Sequence, residues 1–514
     1  RIQIFAEKVG TTMSNTYLGI DMGTSAMKLT LIDNQNRVLS HASVAYEASH
    51  PKTGWSEIDP EIWFDRMMEG LEEVLKEQDP SAVRAIGLTG QMHTLVLLDD
   101  NGSPVRPAIM WNDKRTKDMI PDLKERFASF QEGAYLSATV STGSPAANLY
   151  WMALEEPENL KRVRHFLIGP DYLAYRLTGQ YSTDYCEAST SCLYQLKGNR
   201  WSEEVRNLIG IDREIYPELY GSAQMTGTVL PMIADRIGIS ADTAVVAGTG
   251  DNPATAISTG CLGLKYPVLS LGTSGVLMIP VNSIEEVAKG KVILYSNDNR
   301  EFSYLVQGVV QSTGESVDWW TRKVLGERSY EELTERFDPA GIRGLELIFY
   351  PHINGDKTIY ADSELRGAFI GLSSFTTAEE MFFAVMEGLC FAFRELAENM
   401  KLPLDELRSL KAVGGGSNSP VWMQTMANVL GVTIEKAKGM VGPSFGSALL
   451  ACGASEGIDK MNSLARKSLH VERTFEPDPE LTGWYREKYQ RYLRIHDAMK
   501  YVADGSVLTG TAEL

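Results

Sequence analysis

A strand, a Gly-Thr-Ser turn and a second strand occur twice in this chain, first in YLGIDMGTSAMKLTLI and again in YPVLSLGTSGVLMIPV. Superposing Gly23-Thr24-Ser25 on Gly272-Thr273-Ser274 predicts a duplicated α/β fold with a cleft between the copies. Each opening carries a third strand pattern. RVLSHASVAY follows a turn at Asn34-Gln35-Asn36 to complete a meander, and REFSYLVQGVV plays the same part in the second copy. A helical pattern runs from about Pro60 to Lys76. The copies differ at one informative position, because Asp21 of the first is matched by Ser270 of the second. Only one copy brings an acid to its turn.

A chain of 514 residues with 43% hydrophobic content can build two or more cores, so at least two domains are expected. The formal net charge of -18 disfavours a polyanion-binding face, and no nucleic-acid partner is expected. A single nucleotide is still compatible, since backbone N–H groups bind phosphate without basic side chains. Cys186, Cys192, Cys261, Cys390 and Cys452 form no CxxC pair and read as reduced, packed thiols. No apolar run approaches the roughly 20 residues of a membrane helix, so the expectation is a cytoplasmic protein with no membrane partner. The sequence ahead of Met13 reads as an upstream extension or tag, and residues 1–14 are set aside.

Three further clusters carry chemistry. In GQMHTLVLLDD, the polar step Gln91-Met92-His93 falls where the buried strand Ala85 to Thr89 ends and the strand Thr94 to Leu98 begins. On these residues alone, His93 is equally well read as a strand-end histidine satisfied by backbone. VVAGTGDNP delivers Asp251 and Asn252 to a strand end at the start of an Ala-rich helix, where a carboxylate can take a hydroxyl proton or simply cap the helix. LKAVGGGSNSP reads as a strand, a glycine turn at Gly414, Gly415 and Gly416, and a helix capped by Ser419 with Pro420 at its first position. Glycines there admit a flat ligand against the backbone. The two Gly-Thr-Ser turns could wrap phosphate or be hairpin corners with no ligand. GPSFGSALLACG reads as a core helix whose Gly446 and Ser447 allow close packing. There is no GxxxxGK[ST] run, no third glycine of a dinucleotide fingerprint, no protein-kinase signature set and no HExxH.

Taken in order, LGIDMGTS, GQMH, WNDKR, GTGDN, SLGTSG and GGGSNSP resemble the FGGY carbohydrate kinases from about Tyr17 to Tyr492, and GQMH with GDKT-to-RGAFIGLS looks most like the members acting on xylulose. The resemblance implies two ribonuclease-H-like domains of the actin type, residues 15–258 for sugar and 259–503 for nucleotide, with 504–514 a tail. It implies ATP and Mg2+, with D-xylulose phosphorylated on its terminal hydroxyl. Asp251 would be the catalytic base, with Met92, His93, Asn252 and Trp111 at the sugar and Asp21 near the magnesium. Gly23, Thr24, Ser25, Gly272, Thr273 and Ser274 would hold phosphate, Gly314 and Asp318 would border the nucleotide, and Gly414, Gly415 and Asn418 would take the adenosine. A homodimer is the expected assembly.

Three departures leave the sugar open: Thr94 stands where glycine usually follows Met-His, GDKTIYADSELRG lacks a Thr-Pro-His step, and STGSPAANLYWM is short. Gluconate, ribulose and glycerol stay as alternative acceptors. A non-catalytic actin-like protein that binds sugar and ATP stays as an alternative of another class.

Overall fold

The computed structural model describes residues 15–504 apart from 132, 285–288, 327, 336–342, 363 and 439–440; the extension 1–14 and the tail 505–514 lie outside the described residues. The chain divides into two compact units. Among the described residues, unit one comprises 15–258 together with 294–302 and 442–468, and unit two comprises 259–293, 303–441 and 469–504. Each contains a mixed sheet covered by helices.

In unit one, β1 (Thr16–Met22), β2 (Ala26–Asp33) and β3 (Val38–Ala45) form the meander. β4 (Val83–Gly90), β5 (Met225–Thr228) and β6 (Ala244–Val246) complete the order β3-β2-β1-β4-β6-β5. β4 runs parallel to β1 and β6 parallel to β4, while the remaining neighbours are antiparallel. Every residue of β1 is buried, as a central strand covered on both faces requires, whereas β3 alternates and has a wetter face. The helix Pro60–Leu75, capped by Asp59 accepting from the Glu61 N–H, packs Trp63, Met67 and Leu71 into the same core as Leu18, Ile20 and Leu29.

In unit two the corresponding strands are β7 (Val268–Leu271), β8 (Gly275–Val281), β9 (Ser303–Val310), β10 (Leu410–Val413), β11 (Ile434–Lys438) and β12 (His470–Phe475). Their order, β9-β8-β7-β10-β11-β12, and their pattern of parallel and antiparallel neighbours repeat those of unit one. The duplication read from two Gly-Thr-Ser turns therefore extends to whole sheets. The copies are not identical, since the antiparallel edge strand β5 precedes β6 in the chain whereas β12 follows β11.

The helix Pro443–Glu456 is core, as its pattern suggests, and it packs in unit one although it lies late in the chain. A side chain at Gly19 of β1 would strike the Ser444 carbonyl, and one at Gly87 of β4 would strike that of Ser447. Gly446 lies in the same way against the Ala254 carbonyl. Backbone-to-backbone approach of this kind needs glycine. The burial of Phe445 and Leu449 stabilises the arrangement by roughly 1.5–3 kcal/mol each. In unit two the helix Ala378–Asn399 begins with a reciprocal cap between Thr377 and Glu380 and buries Phe382, Leu389, Phe393 and Leu396. All five cysteines are buried, and none forms a disulfide. Among the described residues no helix is long and apolar enough to cross a membrane.

Candidate active site

Strand register assembles the site of unit one. Asp21 of β1 lies opposite Thr89 of β4, and Met22 lies opposite Gly90. On the other side of β4, the short strand Thr249–Gly250 pairs with the same Thr89 and Gly90. Three adjacent strand ends thus deliver Met22-Gly23-Thr24, Gly90-Gln91-Met92-His93 and Gly250-Asp251-Asn252 to one edge of the sheet. The carboxyl ends of parallel strands are where open α/β sheets place their ligands.

The local contacts hold this edge together. The Gln91 N–H donates to the Met22 carbonyl at 2.9 Å, and its side-chain amide donates to the Gly23 carbonyl at 3.4 Å. The Tyr46 hydroxyl also donates to the Gly23 carbonyl. Trp111, 38% exposed, donates its indole N–H to Thr24 Oγ1 at 3.1 Å, so the structure brings Trp111 and the Gly23-Thr24-Ser25 turn together. Thr94 is fully buried, and its Oγ1 accepts the Trp111 backbone N–H at 3.3 Å. A glycine at 94 would lose that tie. Met92 is buried and His93 half-buried, with a backbone φ of 71° at His93. A non-glycine residue in that region is strained, and such strain gathers at functional sites.

Asp251 opens the helix Asp251–Ser258, and its Oδ1 accepts the Asn252 N–H at 2.7 Å. Asp21 is buried, and its Oδ1 has no hydrogen-bond partner among the described residues. Burial, then the negative charge of Asp251, push its carboxyl up to about 7, against a smaller opposing pull from Lys28. Glu187 is a member of this site that no sequence motif singles out. It is buried, and its Oε1 lies 3.0 Å from where a Gly250 side chain would begin, with the Met92 sulfur 2.7 Å from the same point. An acid in the otherwise uncharged YCEAST segment was the available signal.

In unit two, the Gly272-Thr273-Ser274 turn joins β7 to β8. The Gly314 N–H donates to the Gly272 carbonyl at 3.0 Å, the Glu315 N–H to the Thr273 carbonyl at 3.2 Å, and the Ser274 hydroxyl to the Gln311 carbonyl at 2.6 Å. Gly414 ends the neighbouring strand β10 with φ 88°, and a side chain there would lie 2.6 Å from the Leu271 carbonyl. Gly415 faces open space, with nothing within 4 Å of a side chain built on it. Gly415–Asn418 forms one short helical turn before the helix Pro420–Leu430, which Ser419 caps by accepting the Trp422 N–H. The structure therefore brings Gly272, Thr273, Ser274, Gly314, Gly414, Gly415 and Asn418 to one end of this sheet. Asp318 closes the helix Thr313–Asp318, and its exposed carboxylate lies 3.8 Å from Arg322.

WNDKR divides its labour. Trp111 sits at the polar edge of unit one, while Asp113 and Arg115 form a buried ion pair at 2.8 Å, with Arg115 also reaching Glu57 and its guanidinium 3.9 Å from the Trp55 ring centre.

Comparison with known proteins identifies the family. The FGGY family of carbohydrate kinases matches by its N-terminal domain over residues 16–258 and by its C-terminal domain over 268–455. The chain is 30% identical to a xylulose kinase of Staphylococcus xylosus, over 93% of this chain and 99% of the relative. It resembles a crystal structure described as a xyloylose kinase from Brucella ovis, with 30% identity, a TM-score of 0.85 and coverage of 95% of this chain and 100% of the other. A gluconate kinase from Lactobacillus acidophilus shares the fold at 24% identity and a TM-score of 0.86, over 96% of this chain and 99% of the other. With both family domains matched over most of its length and two actin-like α/β domains in its fold, this chain is a sugar kinase that belongs to the FGGY family of carbohydrate kinases.

Proposed function

We propose that the chain transfers the γ-phosphoryl group of ATP to the terminal hydroxyl of D-xylulose, giving D-xylulose 5-phosphate. The observation that carries this reading is the convergence of Met92, His93 and Asp251 on one sheet edge beside the buried Asp21. Relatives named as xylulose kinases support the choice of sugar.

In this reading Asp251 orients the acceptor hydroxyl and takes its proton, and Met92, His93, Asn252 and Trp111 seat the sugar. Phosphoryl transfer has a loose transition state, so positioning and charge neutralisation carry most of the catalysis. Gly23, Thr24, Ser25, Gly272, Thr273 and Ser274 would hold phosphate oxygens. Gly314 and Asp318 would border the nucleotide, and Gly414, Gly415 and Asn418 would take the adenosine. Magnesium fits at Asp21, because a buried carboxylate oxygen without a hydrogen bond, beside a second carboxylate, suits a divalent cation. When bound, the ion would neutralise phosphate charge.

The proposed activity is cytoplasmic and follows the domain order sugar (15–258) then nucleotide (259–503), with the helix Pro443–Glu456 serving the sugar unit. A homodimer is the proposed assembly, and the exposed Ile370, Leu372 and Phe375 of unit two support it; light scattering reading a single-chain mass would refute it. The activity itself is tested by ADP release across D-xylulose, D-ribulose, gluconate and glycerol. D-xylulose should give the highest kcat/KM, and a higher value for gluconate would overturn the choice of sugar. Binding of sugar and ATP with no ADP release would favour the non-catalytic alternative.

A further inference from the structure

The loop that follows Tyr350 reaches the Gly272-Thr273-Ser274 turn through a short chain of hydrogen bonds. Asn354 is exposed on that loop, and its side-chain amide donates to Ser312 Oγ at 3.1 Å. The Gln311 amide donates to the Asn354 carbonyl at 3.2 Å. The Gln311 carbonyl in turn accepts the Ser274 hydroxyl, and Ser312 Oγ donates to Glu315 Oε2 at 3.2 Å. Glu315 and Gly314 then hold the backbone of Thr273 and Gly272. A third tie comes from Thr358, whose Oγ1 accepts the Val309 N–H at 3.0 Å at the end of β9.

The loop is itself firmly seated. The Asp356 carboxylate accepts the Tyr360 N–H at 2.7 Å and the Ala361 N–H at 3.3 Å, and its other oxygen lies 3.5 Å from His352 Nδ1. Lys289 donates to the Ile359 carbonyl at 2.7 Å. A rigid loop can therefore set the position of the Gln311–Glu315 segment. Sites that bind charged groups through backbone need such support to hold their geometry.

We infer that Gln311 and Asn354 are positioning residues for the phosphate-holding turn at Gly272-Thr273-Ser274, an inference that rests on the nucleotide reading of that turn. Neither residue need touch the nucleotide. Their joint effect is to fix where Ser274, Gly314 and the turn backbone stand.

The test is steady-state kinetics of Asn354→Ala, Gln311→Ala and the double variant on the full chain with Mg-ATP and D-xylulose. Each single change should raise KM for ATP about five- to tenfold, with KM for D-xylulose unchanged, because one ordinary hydrogen bond is lost on the nucleotide side alone. The double variant should fall short of the product of the two effects, since both act through one segment. Asn354→Gln, which keeps an amide, should recover part of the loss. An unchanged KM for ATP in both single variants would overturn the inference, as would equal changes for the two substrates. Should Gln311→Ala fail to fold, the exposed Asn354→Ala decides alone. A wild-type chain without ATP-dependent turnover would instead refute the nucleotide reading itself.

Discussion

Asp21 works against the fold and, in the proposed reaction, for the chemistry. Burial first, and then repulsion from Asp251, hold its carboxyl up to about 7, so ionising it costs the folded state stability. Asp21→Asn should remove that cost and raise the thermal midpoint by roughly 2–4 °C. Turnover should fall on the order of 10²–10³-fold as charge neutralisation is lost. A calorimetric scan beside an ADP-release assay reads both, and a drop in the midpoint would contradict that cost. The placement of Met92, His93 and Asp251 at strand ends was legible in the sequence because glycine and polar residues at strand ends are local patterns, while the roles proposed for them came from the resemblance to the FGGY kinases. Thr94, Glu187 and Asn354 were not legible, since their significance lies in partners far along the chain: Trp111, Gly250 and Ser312.

At the scale of elements, the glycine turn after β10 separates fold from function within two residues. Gly414 needs its positive φ and its closeness to Leu271, whereas Gly415 has room for a side chain. Gly415→Val should therefore keep the melting temperature while raising KM for ATP about tenfold or more, with KM for sugar unchanged. A large loss of stability would make Gly415 structural. The helix Ala378–Asn399 carries a pH-dependent element of stability. Burial raises Glu395 from 4.5 to about 7, partly offset by the Tyr360 hydroxyl bonded to it. The folded state thus holds a proton that the unfolded chain releases above pH 4.5, so this contribution is complete below that pH and is lost as pH rises through about 7. Its size is on the order of 3 kcal/mol. Glu395→Gln should gain stability relative to wild type between about pH 5 and pH 8, on the order of that amount, in urea unfolding; a pH-independent difference would contradict it. The meander strands that open each copy followed from hydrophobic pattern and turn residues, whereas the order of the sheets did not, because it joins strands far apart in the chain. Nor did the place of the helix Pro443–Glu456, because it depends on Gly19 and Gly87, which lie hundreds of residues earlier and give no local signal.

For the whole molecule, unit one carries the acceptor-side residues and unit two the nucleotide-side residues of the proposed reaction. Transfer requires the acceptor oxygen and the γ-phosphorus to meet, so each ligand should tighten the other by the same factor, on the order of 1–3 kcal/mol. Calorimetry with D-xylulose and a non-hydrolysable ATP analogue reads this, and strictly independent affinities would count against it. The duplication was legible from two three-residue turns because the same backbone problem, a tight corner between strands, recurs in both copies. Everything proposed for the reaction turns on Asp251 as the base that readies D-xylulose for phosphorylation. The most direct test is phosphorus NMR of the products formed from ATP and D-xylulose by wild type and by Asp251→Asn. Wild type should yield ADP and a single sugar monophosphate esterified at the terminal hydroxyl, and Asp251→Asn should form it roughly 10²–10⁴-fold more slowly with nucleotide binding retained. Product at another hydroxyl, or near-normal turnover in the variant, would contradict that role.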